Sequence, residues 1–144
     1  MSNDDGEYGR IDAATGDRMW THHPSGDYLN GTNFVTASGA IYLYGITKDR
    51  NVRVEAVDAE SGETRWTSVQ PAVNSVGVLI SDDVTYVHRQ LDPPGTSFEL
   101  TALDATSGEQ LWSRPTPWAM GSSGTVPVDH GLVVAVTDGI ELLR

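Results

Sequence analysis

"ALDATSGEQLW", residues 102–112, decides the reading of this chain: it closes an apolar run, turns at Gly108 and finishes on a tryptophan. Nearly the same string occurs twice more, as "AVDAESGETRW" at 56–66 and "RIDAATGDRMW" at 10–20, so each copy starts 46 residues after the one before. Asp12, Asp58 and Asp104 recur in register, as do Gly16, Gly62 and Gly108, and Trp20, Trp66 and Trp112. An acidic residue, Asp17, Glu63 or Glu109, follows each glycine. Self-similarity at a period of about 20–50 residues signals a repeat architecture and takes precedence over any local motif.

Between the copies run short β-branched or alternating apolar segments with no helical period. "NFVTA" at 33–37 and "GVLIS" at 77–81 read as strands ending at turn-forming Ser38-Gly39 and Asp82-Asp83. "AIYLYGI" at 40–46, "VTYVHR" at 84–89 and "LVVAV" at 132–136 follow, then "VRVEAVD" and "FELTALD". With the segment that ends in Trp, each period holds four strands, which is one blade of a β-propeller. A blade cannot bury both of its faces alone and must stack on its neighbours. The tryptophan ring is therefore expected to lie against the next blade and cover backbone near a glycine. The aspartate is expected to accept hydrogen bonds from the turn N–H groups, and the glycine to supply a positive φ.

The pattern Ala-x-Asp-x-x-Thr/Ser-Gly-Glu-x-x-Trp resembles the tryptophan-docking motif of the pyrroloquinoline-quinone-like (PQQ-like) β-propeller repeat family. Residues 56–66 and 102–112 match it throughout, Ala56 and Ala102 included, whereas Arg10 replaces the alanine in the first copy and implies looser docking at that edge. The family embraces eight-bladed quinoprotein alcohol dehydrogenases and non-enzymatic relatives such as an outer-membrane assembly lipoprotein. The expected fold is thus all-β, a partial propeller of about three four-stranded antiparallel blades, an open arc of a seven- or eight-bladed ring. The expected organisation is a polar end at 1–6, the last two strands of a blade at 7–23, complete blades at 24–69 and 70–115, and the first strands of a further blade at 116–144. The chain reads as a fragment of a larger propeller, whose partners are the remaining blades or further copies of itself.

Composition narrows the function. A net charge of −11, from 20 acids and nine bases, disfavours nucleic acid, because phosphate backbones require basic surface. No window reaches the roughly 18 apolar residues of a membrane helix, and no export signal is visible, so direct membrane insertion is not expected. An extracytoplasmic or cell-surface location is what the resemblance implies. One lysine against eight arginines, and thirteen aspartates against seven glutamates, suit either an acidic shell adapted to high salt or a GC-rich genome. The absence of cysteine removes disulfides, thiolate metal sites and cysteine nucleophiles.

The repeated residues invite a catalytic reading, yet recurrence of the same aspartate at the same turn in every blade marks scaffold. No catalytic, cofactor-binding or metal residue is assigned. Trp118, outside the repeat, is read as packing or as part of a binding surface. His22 and His23 are adjacent on a strand and face opposite sides, so they do not share a metal. His88 and His130 read as solvated or hydrogen-bonded loop residues. "DDGEYG" and "DPPG" lack calcium-loop spacing. Asn30-Gly31-Thr32 fits a glycosylation sequon and also a turn. "GSSG" at 121–124 has no following helix to cradle a phosphate. Three functions stay open: a non-catalytic scaffold that binds a protein or another ligand, a sector of a PQQ-dependent alcohol dehydrogenase with PQQ and calcium, and an extracellular sensor propeller.

Overall fold

The computed structural model describes residues 6–29, 32–71, 76–81, 83–92, 97–116, 125–128, 131–136 and 139–143. All regular elements among them are strands, and none is a helix able to cross a membrane. Trp118, His130, the Asn30-Gly31 step and the "GSSG" segment lie outside the described residues, as do Asp82 and the tip of the "DPPG" turn.

Among the described residues, thirteen strands form four antiparallel sheets. The first holds β1 (Tyr8–Ile11) and β2 (Arg18–His22). The second runs in the order β3 (Asn33–Ala37), β4 (Ala40–Ile46), β5 (Asn51–Asp58), β6 (Thr64–Pro71). The third repeats that meander with β7 (Val76–Ser81), β8 (Val84–Asp92), β9 (Ser97–Asp104) and β10 (Gln110–Thr116). The fourth joins β11 (Thr125–Val128), β12 (Gly131–Val136) and β13 (Gly139–Leu143).

The hairpins follow from local chemistry. Ser38 and Gly39 carry φ of 49° and 71°, the double positive turn whose twist matches a two-residue hairpin between β3 and β4. β3 contacts β7, and β7 contacts β11, so the first strands of successive sheets sit side by side. β6 and β10 close the opposite edge of their sheets. The result is an open arc of propeller sheets.

The core lies between sheets. Tyr42, Val52, Val54, Ala56 and Trp66 of the second sheet pack on Val78, Val87 and Leu103 of the third. Burying such apolar side chains contributes roughly 1.5–3 kcal/mol each. Tyr86, Leu100 and Ala102 form the start of an equivalent layer on the far side of the third sheet, with Trp112 packed against it. His88, read as a solvated or hydrogen-bonded loop residue, is hydrogen-bonded but does not lie in a loop. It lies within β8, is buried, stacks on Phe98 at 5.4 Å and has Nε2 3.1 Å from Thr116 Oγ1, because both faces of a propeller blade are covered.

Candidate functional site

The three repeated turns have one geometry. In each, the Asp carboxylate accepts from the N–H groups two and three residues on: Asp12 from Ala14 and Thr15 at 2.8 and 2.9 Å, Asp58 from Glu60 and Ser61 at 2.9 Å, Asp104 from Thr106 and Ser107 at 2.9 Å. The glycine N–H returns to the Asp carbonyl at 2.8 Å in all three. Gly16, Gly62 and Gly108 hold φ of 77°, 76° and 75°, a conformation that costs an L residue roughly 1–2 kcal/mol. Hydrogen bonds from the turn N–H groups keep Asp12 and Asp104 below the usual carboxylate range. Asp58 is lowered to about 2 by the Ser61 N–H, then by Arg65, whose Nη2 lies 2.6 Å from Oδ2. These carboxylates are committed to their own turns.

The second and third turns each receive an indole from the preceding sheet. Trp20 lies on Gly62 and donates Nε1–H to the Ala59 carbonyl at 3.1 Å; Trp66 lies on Gly108 and donates to the Ala105 carbonyl at 2.9 Å. A Cβ placed on either glycine would meet indole carbon at 2.6 Å, so only glycine admits the ring. Trp66 is buried at 8% exposure and tilts on Tyr42 at 5.9 Å. Trp112 repeats the pose against Tyr86 at 6.1 Å, but among the described residues no turn covers it, and the Arg114 guanidinium sits 4.6 Å over its ring. Gly16 is the opposite half, a finished turn where, among the described residues, nothing lies within 4 Å of the place a Cβ would take. Ile11 tells the same story: it is 58% exposed, whereas Val57 and Leu103 at its repeat positions are 1% exposed.

The first station differs in composition. Arg10 stands where later copies carry Ala56 and Ala102, and a looser edge was the expectation. Nη1 of Arg10 donates to the same Ala59 carbonyl at 3.2 Å and pairs with Glu60 at 3.0 Å, while Trp20 is less buried than Trp66. The guanidinium adds a polar contact where the other copies have only a methyl group.

Beneath this station sits a polar cluster with no counterpart in the sequence reading. Glu55 of β5 is 1% exposed and accepts from Thr64 Oγ1 at 2.7 Å, Ser25 N at 3.1 Å and Ser25 Oγ at 3.3 Å. His22 of β2 completes it, with Nε2 2.9 Å from Glu55 Oε1 and Nδ1 3.1 Å from the Gly62 carbonyl. His23 lies just beyond β2 and is mostly exposed, 3.9 Å from Glu7. Its alternation in "VRVEAVD" hides Glu55, because a polar residue between valines reads as a solvent face. A groove of about 460 Å³ opens nearby, between β1 and the β3–β4 hairpin, lined by Tyr8, Phe34, Ile41 and Tyr44 among others. Tyr8 meets Phe34 edge to face at 5.9 Å across its mouth. Among the described residues no group of three or more His, Asp or Glu is placed to hold a metal ion.

Comparison with known proteins fits this geometry. A family model described as outer membrane protein assembly factor BamB matches residues 4–143. Outer membrane protein assembly factor BamB of Moranella endobia (strain PCIT) is 32% identical over 91 residues, 58% of this chain. The chain spans about a fifth, 21%, of that relative's length. Among solved structures, a europium-containing methanol dehydrogenase superposes with a TM-score of 0.57 at 15% identity, covering 76% of this chain and 21% of that one. BamB from Moraxella catarrhalis aligns over 97% of this chain and 68% of its own, at 14% identity and a TM-score of 0.26.

Proposed function

The chain belongs to the PQQ-like β-propeller repeat family that includes the assembly factor BamB, and from that premise we propose that it is a non-catalytic sector of a propeller serving as a binding scaffold for protein partners outside the cytoplasm. The observation that carries this reading is the commitment of the repeated turn aspartates and of two of the repeated tryptophans to packing. Asp58 and Asp104 are consumed by turn N–H groups, and Trp20 and Trp66 by Gly62 and Gly108. The name of the Moranella relative, an assembly factor, supports protein partners and a location beyond the inner membrane. Fold similarity to a methanol dehydrogenase supports the scaffold alone.

The described residues do not fit pyrroloquinoline quinone with calcium. The chain has no cysteine, among the described residues no group of three or more His, Asp or Glu is placed to hold a metal ion, and the indoles of Trp20 and Trp66 already cover glycine. No chemical step is derived through that group. The uncovered Gly16 turn with Ile11, and the uncovered Trp112, are the positions at which further repeats attach, either blades of a longer polypeptide or a second copy of this one. Such lateral contacts between repeats supply the burial that a lone blade lacks.

Two measurements test the proposal. Pyrroloquinoline quinone, calcium and a primary alcohol added to the chain should give no dye reduction; turnover would overturn the scaffold reading. Sedimentation of the 144-residue chain should show concentration-dependent association that Trp112→Ala weakens. A compact monomer with cooperative unfolding would contradict the open stations.

A further inference from the structure

Among the described residues β1 is paired along one edge alone, to β2. Its counterparts β5 and β9 are paired along both, and on the edge that β1 leaves open they carry β4 and β8. An open edge presents a row of N–H and C=O groups ready to take another strand. Beside it runs the groove of about 460 Å³ whose other wall is the β3–β4 hairpin. Phe34 marks the unfilled space. It stands in the second sheet where Val78 stands in the third, each opposite a buried aliphatic residue of the adjoining strand, Leu43 or Val87, yet Phe34 is 61% exposed and Val78 5%.

A ring is missing at the same place. Tyr42 lies opposite Ala56 and tilts on Trp66, and Tyr86 lies opposite Ala102 and tilts on Trp112. Arg10 holds the repeat position of Ala56 and Ala102, and among the described residues no strand lies on that side of it and no aromatic ring is paired with Trp20.

Resting on the reading of the chain as a scaffold for protein partners, we propose that the open edge of β1 is where such a partner docks, by laying one extended strand antiparallel to Tyr8–Ile11 with an aromatic residue opposite Arg10. Backbone hydrogen bonds to β1 supply affinity, and the alternate side chains turned toward the second sheet supply selectivity. The two strands that cover the equivalent edges define the chemistry of the occupant. On that face β4 carries Ala40, Tyr42 and Tyr44, and β8 carries Val84, Tyr86 and His88, so the occupant is an apolar strand built about a central tyrosine. The groove is matched to it, since none of its lining residues is charged. Such a strand continues the inter-sheet layer in which Tyr42 and Trp66 pack on Val78, with Phe34 in the place of the valine.

A peptide of residues 84–90, VTYVHRQ, is the probe against the full chain. Saturable binding should slow hydrogen exchange at the outward amides of β1 by about tenfold. It should also move the Trp20 indole N–H resonance through the ring current of the peptide tyrosine. The Tyr86→Ala form of the peptide should lose that shift. Phe34→Lys in the chain, a change at an exposed side chain, should abolish binding and leave the thermal midpoint where it was. No binding, or binding that neither substitution weakens, would overturn the proposal. So would protection of the β1 amides before peptide is added, because the chain's own residues would then fill the groove. Loss of self-association in Phe34→Lys would overturn it too, by making a second copy the occupant. None of these results changes the outcome of the quinone-dependent turnover assay, so the scaffold reading stands or falls separately.

Discussion

Trp66 and Gly108 meet so closely that a methyl group on the glycine would lie 2.6 Å from the indole Cδ2, while the ring's Nε1–H bonds the Ala105 carbonyl three residues earlier. The ring thereby covers the positive-φ residue of the turn and ties its backbone. Trp66→Ala should cost about 3–5 kcal/mol of stability in urea unfolding, as large aromatic truncations in a core do. Trp66→Phe should recover part of that loss but leave the Ala105 carbonyl without its indole donor. Trp112→Ala, at the station with no turn on it, should cost distinctly less in the isolated chain.

The three glycines separate backbone strain from steric fit. Gly16→Ala introduces a side chain at φ 77° into open space and should cost roughly 1–2 kcal/mol. Gly62→Ala and Gly108→Ala carry the same φ cost and also drive a Cβ into an indole. Their thermal midpoints should fall well below that of Gly16→Ala. Equal losses at all three positions would contradict the docking geometry.

Asp58 sets the acid limit of its turn. Its carboxyl titrates at about 2 in the folded chain against an ordinary 3.8, so the folded form binds the proton more weakly than the unfolded form. The contribution is complete above about pH 4 and disappears as pH falls through 2. Carbon-detected NMR of the Asp side chains should show Asp58 titrating lowest of the three turn aspartates. Arg65→Ala should raise it toward Asp12 and Asp104, which lack an arginine on the carboxylate.

A net charge of −11 on 144 residues makes self-repulsion a measurable term at low ionic strength. Unfolding midpoints should rise from 10 mM toward about 1 M KCl as the screening length contracts from about 30 Å to about 3 Å. A midpoint that does not move across that range would remove the high-salt interpretation of the acidic surface.

The turns were legible in the sequence because one contact is made repeatedly by the same residue types. Asp, Gly and Trp recur at fixed spacing since each copy must satisfy the same N–H groups, the same φ and the same ring. Glu55 and His22 were illegible for the converse reason: their contact is made once, and the residues at the equivalent positions in the next repeat are Thr101 and Ser68. Alternation also misleads in this architecture. "VRVEAVD" and "VTYVHR" read as strands with one wet face, yet Glu55, His88 and Arg89 are buried, because stacked blades cover both faces. Arg89 therefore needs its pairing with Glu99 and its 2.7 Å bond to the Pro71 carbonyl, neither of which leaves a mark on periodicity.

The two docked indoles reach forward along the chain: Trp20 to the turn at Gly62, Trp66 to the turn at Gly108. On a ribosome, each newly emerged sheet thus waits for its cover until the following repeat has been synthesised, and assembly proceeds vectorially with one sheet always provisional. Chaperone dependence during translation should accordingly track the distance to the next Asp-Gly turn rather than the hydrophobicity of the strand just made.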